Sequence, residues 1–145
     1  MVRIELMPWN DAREAASAIR HAVFVEEQGV PREMELDEHD AACVHALARD
    51  ASGRAVGTGR LLPDGHIGRM AVMPAWRGKG VGGAILEELV EEARRRGHRA
   101  AVLSAQVHAI PFYESHGFAA EGETYLDADI PHRSMRRLLA GGPVK

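Results

Sequence analysis

Arg77-Gly78-Lys79-Gly80-Val81-Gly82-Gly83 lies between an apolar, strand-like run from His66 to Val72 and a long helical pattern from Gly80 to Arg96. Glycines without a Cβ let successive backbone N–H groups come close to an anion such as a phosphate. The opening turn of a helix adds unpaired donors and the positive end of its dipole. The stretch therefore reads as an anion cradle, with Arg77 and Lys79 supplying mobile positive charge beside it. Behind it, Val81, Ile85, Leu89 and Ala93 form one stripe with Leu86 and Val90 alongside, the spacing of a helix face packed on a sheet, and Gly97 ends the helix.

Two blocks carry a family resemblance. Arg77-x-x-Gly80-x-Gly82 after a strand resembles the acyl-CoA pyrophosphate loop of the GNAT (GCN5-related N-acetyltransferase) superfamily. Gln106-x-x-Ala109-x-x-x-Tyr113-x-x-x-Gly117-Phe118 resembles the strand and helix that follow in that family, where Asn is commoner than Gln at the first position. Phe24-Val25-Glu26-Glu27-Gln28-Gly29-Val30-Pro31, followed by Glu35-Leu36-Asp37, is similar to a bacterial subgroup of small GNAT proteins, the YjcF-like or ElaA-like group. The resemblance covers nearly the whole chain.

The same glycines also satisfy Gly78-x-Gly80-x-x-Gly83, the dinucleotide fingerprint of an oxidoreductase Rossmann unit. Two features oppose that reading. The glycines begin several residues after the strand, and the next strand, Ala100 to Gln106, has no acid to hold a ribose hydroxyl. A P-loop is excluded because no Gly-x-x-x-x-Gly-Lys-Ser/Thr spacing occurs.

The 145 residues suit one domain with a full core, and no composition shift divides them. A net charge of −3 gives no electrostatic reason to expect nucleic acid. No apolar stretch reaches membrane-spanning length, the N-terminus lacks signal-peptide features, and the single Cys43 cannot form an internal disulfide, so the expected compartment is the cytoplasm. Cys43 reads as a small buried residue rather than a nucleophile.

Along the chain, the alternation of Val2, Ile4 and Leu6 predicts a first strand ended by Pro8. Asp11 and Glu14 resemble a capping box for a helix bearing Ala15, Ile19, Ala22 and Val23 and reaching Val25. Strands are expected at Val44–Arg49, Ala55–Leu62 and His66–Val72, with Gly57 and Gly59 marking a bulge or a close backbone approach. Ala100–Gln106 reads as a central strand. A short helix near Ala109–Ser115 follows, with Pro111 in its first turn, then a strand pair, Phe118–Leu126 and His132–Leu139, and a frayed tail over 141–145.

The resemblance implies a mixed α/β fold of the α+β kind. Its central sheet would be mostly antiparallel with six to seven strands, splayed between the fourth and fifth and flanked by about four helices. It further implies that acetyl-CoA enters the splay as co-substrate, that backbone groups of Met70, Ala71 and Val72 bind the pantetheine arm, and that Arg77, Gly78, Lys79, Gly80, Val81 and Gly82 hold the pyrophosphate. Gln106 and Tyr113 would line the cofactor site. Tyr113 matches the tyrosine that donates a proton to the departing thiolate in many family members. Homodimers are common in the family, which makes a homodimer an expectation.

A base for the amine is offered by Glu26, Glu27, Asp37, His45 and His132, and Glu27 is selected. The acidic segment Glu33, Glu35, Asp37, Glu38 and Asp40 reads as solvated surface or, from its position in the family arrangement, as one wall of the acceptor site. In the second case Glu26, Glu35, Asp37 and His132 would contact a cationic amine. The eight histidines show no metal-ligand spacing, so no metal is expected. The function expected is acetyl transfer from acetyl-CoA to a primary amine of a small molecule or protein. A non-catalytic acyl-CoA sensor is the alternative, and a dinucleotide oxidoreductase the distant one.

Overall fold

The computed structural model describes residues 2–35 and 37–139, so Leu36 and the tail 141–145 lie outside it. Seven strands form one sheet in the order β1-β2-β3-β4-β5-β7-β6. They are β1 (Arg3–Pro8), β2 (Val44–Arg49), β3 (Ala55–Leu61), β4 (His66–Val72), β5 (Ala100–Gln106), β6 (Ala119–Asp127) and β7 (Ile130–Leu138). All neighbours are antiparallel except β4 and β5, which are parallel and pair only at His66 with Val102 and Ile67 with Leu103. Beyond those two pairs the strands part, whereas β5 and β7 stay in register from Ala100–Leu138 to Gln106–His132. The expected splay is present.

Helices cover both faces. From α3 (Val81–Arg95), Val81, Ile85, Leu86, Leu89, Val90 and Ala93 are buried against Ala46, Ala48, Val56 and Leu61. This is the stripe read from the sequence. On the opposite face, Ala12 and Ala16 of α1 (Trp9–Arg20) pack on Leu47, while Ile19 and Val23 pack on Ala71. Alternate residues of β2 thus face opposite layers, and Ala46, Leu47 and Ala48 at its centre are apolar because both sides of the strand are covered. Gly59 lies under α3: a Cβ there would come within 3.0 Å of Ile85 Cγ2 and Leu89 Cδ1 and 2.8 Å of Met70 Sδ. The β3–β4 register also shifts between Thr58 and Arg60, so both readings of the strand's glycines hold at that position.

Two local expectations need correction. Residues Asp11 and Glu14 form no capping box, because β1 runs through Pro8 and the helix begins at Trp9 with Pro8 as its N-cap. The helix also passes beyond Arg20 into a π-helical segment, His21–Glu27, where His21 and Glu26 meet at 3.4 Å across the five-residue spacing of that helix. The final hairpin is tighter than expected, since β6 and β7 are joined by Ala128 and Asp129 alone, both at positive φ. The last strand begins at Ile130 rather than His132 and so includes Pro131. In a two-residue hairpin closed by Asp127 and Ile130, its nitrogen turns away from β6 toward the side where β5 has already ended, so the missing N–H costs no ladder bond.

Two shorter α-helices complete the architecture: α2 (Arg32–Glu35), and α4 (Ile110–Glu114) with Pro111 in its first turn. Among the described residues no helix is long and apolar enough to cross a membrane.

Candidate active site

The glycine loop turns out of β4 through a 3₁₀ turn, Pro74–Trp76, and enters α3 with Gly78 and Gly80 at φ +75° and +82°. A side chain at Gly80 would meet no neighbour within 4 Å, so the demand for glycine there is conformational rather than steric. No side chain caps α3, which leaves the N–H groups of its first turn open to an anion. Lys79 stacks over Trp76 at 5.5 Å. Arg77 donates to Val72 O at 3.0 Å and forms a two-pronged pair with Glu27, 2.6 Å on each arm.

That pair changes the reading of Glu27. Hydrogen bonds from Arg77 hold its carboxyl below the usual range, and neither Glu26 nor Glu27 lines the main cleft. The structure therefore places Glu27 beside the glycine loop, engaged with the Arg77 guanidinium and outside the cleft. No local pattern marks this pair, because its two partners lie 50 residues apart.

The cleft has a volume of about 640 Å³ and opens where β4 and β5 diverge. Glu35, Met70, Gln106, Tyr113 and His132 line it, so five of the expected residues meet in one cavity. Gln106 donates from Nε2 to Gln28 Oε1 at 2.9 Å, bridging the gap from β5 to the segment after the π-helical turn. Tyr113 packs edge-on to Phe112 and Phe118, with ring centroids 4.9 and 6.1 Å away. Burial pushes its phenol up to about 12, which keeps the proton on at neutral pH. His132, only 8% exposed, has Nδ1 at 2.6 Å from Ile130 O. A carbonyl can only accept, so Nδ1 carries a proton, and the neutral ring in this tautomer has its lone pair on Nε2.

The acidic segment divides: Glu33 and Glu38 are exposed, whereas Glu35, Asp37 and Asp40 are bound by arginines and form no wall of free carboxylates. Arg20 donates to Glu35 Oε2 at 2.5 Å and to both oxygens of Asp40 at 2.9 and 3.1 Å. Arg60 takes both oxygens of Asp37 at 2.9 and 2.7 Å and Asp40 Oδ1 at 2.8 Å. Arg69 reaches Asp37 Oδ2 and Glu35 O, both at 3.1 Å. The bonds from Arg60 drive Asp37 far below the usual carboxylate range. For Asp40, burial acts in the opposite direction and is outweighed by Arg20 and Arg60. His45, another base candidate, is buried with Nε2 on Asp40 O at 2.9 Å and does not line the cleft.

The arginines were missed by sequence reasoning. Arg60 was visible as a lone charge in an apolar strand, and Arg20 as a charge four residues after Ala16 on the buried stripe of α1. No group of three or more His, Cys, Asp or Glu able to hold a metal occurs among the described residues.

Comparison with known proteins agrees with this geometry. The family model described as acetyltransferase (GNAT) domain matches residues 11–139. The N-acetyltransferase YjcF of Bacillus subtilis (strain 168) is 39% identical over 123 residues, which are 82% of this chain and 87% of that protein. An acyl-CoA N-acyltransferase from Pseudomonas aeruginosa superposes with a TM-score of 0.84 at 33% identity, over 94% of this chain and 99% of that one. Escherichia coli ElaA gives 0.84 at 29% identity with the same coverage.

Proposed function

The chain belongs to the GNAT family of acetyltransferases and is a GNAT-type N-acetyltransferase, and from that premise we propose that it transfers an acetyl group directly from acetyl-CoA to a primary amine. The observation that carries this reading is the junction of an uncapped, glycine-lined helix start with a splayed β4–β5 edge that opens onto Tyr113. The residues present fit the co-substrate. First-turn N–H groups of α3, Lys79 and Arg77 suit a pyrophosphate once Arg77 exchanges Glu27 for it, and the parted edge of β4 at Met70, Ala71 and Val72 offers amide groups to a pantetheine arm.

Bound acetyl-CoA supplies an activated acyl thioester. The amine nitrogen forms a bond to the acyl carbon, the carbon–sulfur bond breaks, and a proton leaves the nitrogen. In our reading His132 Nε2 accepts that proton, directly or through one water, because its lone pair faces no protein donor among the described residues. Tyr113 hydrogen-bonds the departing sulfur. A phenol near 12 facing a thiolate whose conjugate acid lies near 8.5 stabilises the leaving group as a donor without surrendering its proton early.

Calorimetric titration with acetyl-CoA, with NAD as control, tests the reading together with thiol release across a set of primary amines. The expected result is acetyl-CoA binding that is lost in folded Gly80→Glu, no NAD binding, and thiol release that depends on amine. Binding without turnover for any amine indicates a sensor, and failure to bind acetyl-CoA sinks both.

A further inference from the structure

The buried ionic network is neutral in sum, with Arg20, Arg60 and Arg69 against Glu35, Asp37 and Asp40, but it is not symmetrically placed. Arg60 and Arg69 line the main cleft, whereas Asp37 and Asp40 do not. Those two carboxylates instead line a second hollow bounded by Trp9, Arg13 and Arg32. The network thus turns guanidinium groups toward the cleft and backs them with carboxylates. Glu35 reaches both cavities, yet its carboxylate is taken by Arg20 and its carbonyl by Arg69.

Three further features make this edge short of acceptors. Arg60 is 5% exposed and its Nε has no hydrogen-bond partner. The Arg69 side chain is 27% exposed, and its Nη1 has no protein partner among the described residues. Arg69 also sits at φ +48°, where the β3–β4 register shifts, a left-handed conformation that costs a non-glycine residue free energy. Backbone strain of this kind persists where surrounding contacts hold it, and here it presents a guanidinium to the cavity that holds Tyr113 and His132.

We propose that the acceptor is an amine that also carries an anionic group, a carboxylate or a phosphate, and that Arg69, supported by Arg60, binds that group and selects for it. The proposal rests on the acetyltransfer reading above and replaces the expected cationic acceptor. Glu35 and Asp37 already have arginine partners, so a second cation near Arg69 would find the neighbouring carboxylates taken. The other carboxylates lining the cleft are Asp64, paired with His66, and the exposed Asp127 of the β6–β7 hairpin, neither of which belongs to the arginine network. A charge-assisted bond to the anion is worth about tenfold to a hundredfold in acceptor KM.

The test uses the full chain with saturating acetyl-CoA and matched amines: 4-aminobutyrate against butylamine and putrescine, and phosphoethanolamine against ethanolamine. The two arms separate carboxylate from phosphate. At least one anionic amine is expected to exceed its neutral counterpart tenfold in kcat/KM through a lower KM, with putrescine poorer than butylamine. Arg69→Asn, which suits the left-handed backbone, should bring the anionic-to-neutral ratio close to one, and Arg69→Lys should retain part of it. Thermal melts confirm that both variants fold.

A preference for putrescine, or an anionic preference unchanged in Arg69→Asn, overturns the proposal while leaving acetyltransfer intact. If no amine releases thiol, the acetyltransfer reading fails by itself. Calorimetric titration of the CoA-bound protein with the same amines then decides the anion site: binding of an anionic amine that Arg69→Asn abolishes supports it, and equal or absent binding refutes it.

Discussion

Tyr113 and Cys43 show opposite uses of the same physical effect. Burial raises both, the phenol to about 12 and the thiol to about 11, and each keeps its proton at neutral pH. Tyr113 lines the cleft, so its retained proton can serve the leaving sulfur. Replacing it with Phe should lower kcat by roughly tenfold to a hundredfold, with acetyl-CoA affinity unchanged, because only a bond made in the transition state is lost. Stopped-flow thiol release checks this, and an equal rise in the dissociation constant for acetyl-CoA would argue for a packing role instead. Cys43 is buried, and its Sγ donates to His39 O at 3.1 Å. It should resist iodoacetamide at pH 8 in the folded protein and react once urea unfolds it, as mass spectrometry would show. The burial of Cys43 was legible from its isolation in the sequence, and the family resemblance of the spacing around Tyr113 pointed to its place in the cleft. The position of Glu27 was not, because a pair formed across 50 residues leaves no local pattern.

At the scale of elements, periodicity located α3 to within a residue at each end, since a six-residue apolar stripe and glycines at both ends leave little choice. Boundaries failed where tertiary context set them. The start of α1 follows from how far β1 pairs with β2, as far as Pro8 with Val44, and Asp11 merely enters the first turn. The β6–β7 turn lacked its usual Asn-Gly signal, because Ala128 and Asp129 adopt φ +51° and +62° without a glycine. Ala128 is therefore a site of stored strain on the surface of the hairpin. Ala128→Asn, suited to the left-handed conformation, should stabilise the protein by about 0.5–1 kcal/mol and raise Tm by roughly 2–4 °C, whereas Ala128→Val should lower it. Calorimetric melts of the two variants measure both signs, and a fall in Tm for Asn would show that the turn is not the strained part.

For the whole molecule, a sheet of six to seven strands with a splay was expected from the family resemblance, but the arginine network that ties α1, α2, β3 and β4 was invisible until those elements met. That network predicts how stability depends on pH. His45 is buried, with Nε2 on Asp40 O and with Arg20 and Arg60 nearby, and burial lowers its pKa below the ordinary histidine value. As pH falls below about 6.5 the unfolded chain binds a proton at this residue that the folded chain refuses, so stability declines toward the folded-state pKa. Asp37 and Asp40 are depressed as well, and their contribution is complete above about pH 4 and lost as pH falls through the lower values they hold in the fold. Each unit of pKa difference corresponds to about 1.4 kcal/mol. Urea midpoints measured from pH 8 to pH 3 should accordingly be level above pH 7, decline through pH 6 and fall again below pH 4. His45→Gln should flatten the first decline. Asp37→Asn should lower stability at pH 7, by up to about 3–5 kcal/mol because it leaves Arg60 short of its partner, and should flatten the second. A stability curve level from pH 7 to pH 5 in the wild type would mean that His45 accepts its proton without cost, which its burial, aided by Arg20 and Arg60, makes unfavourable.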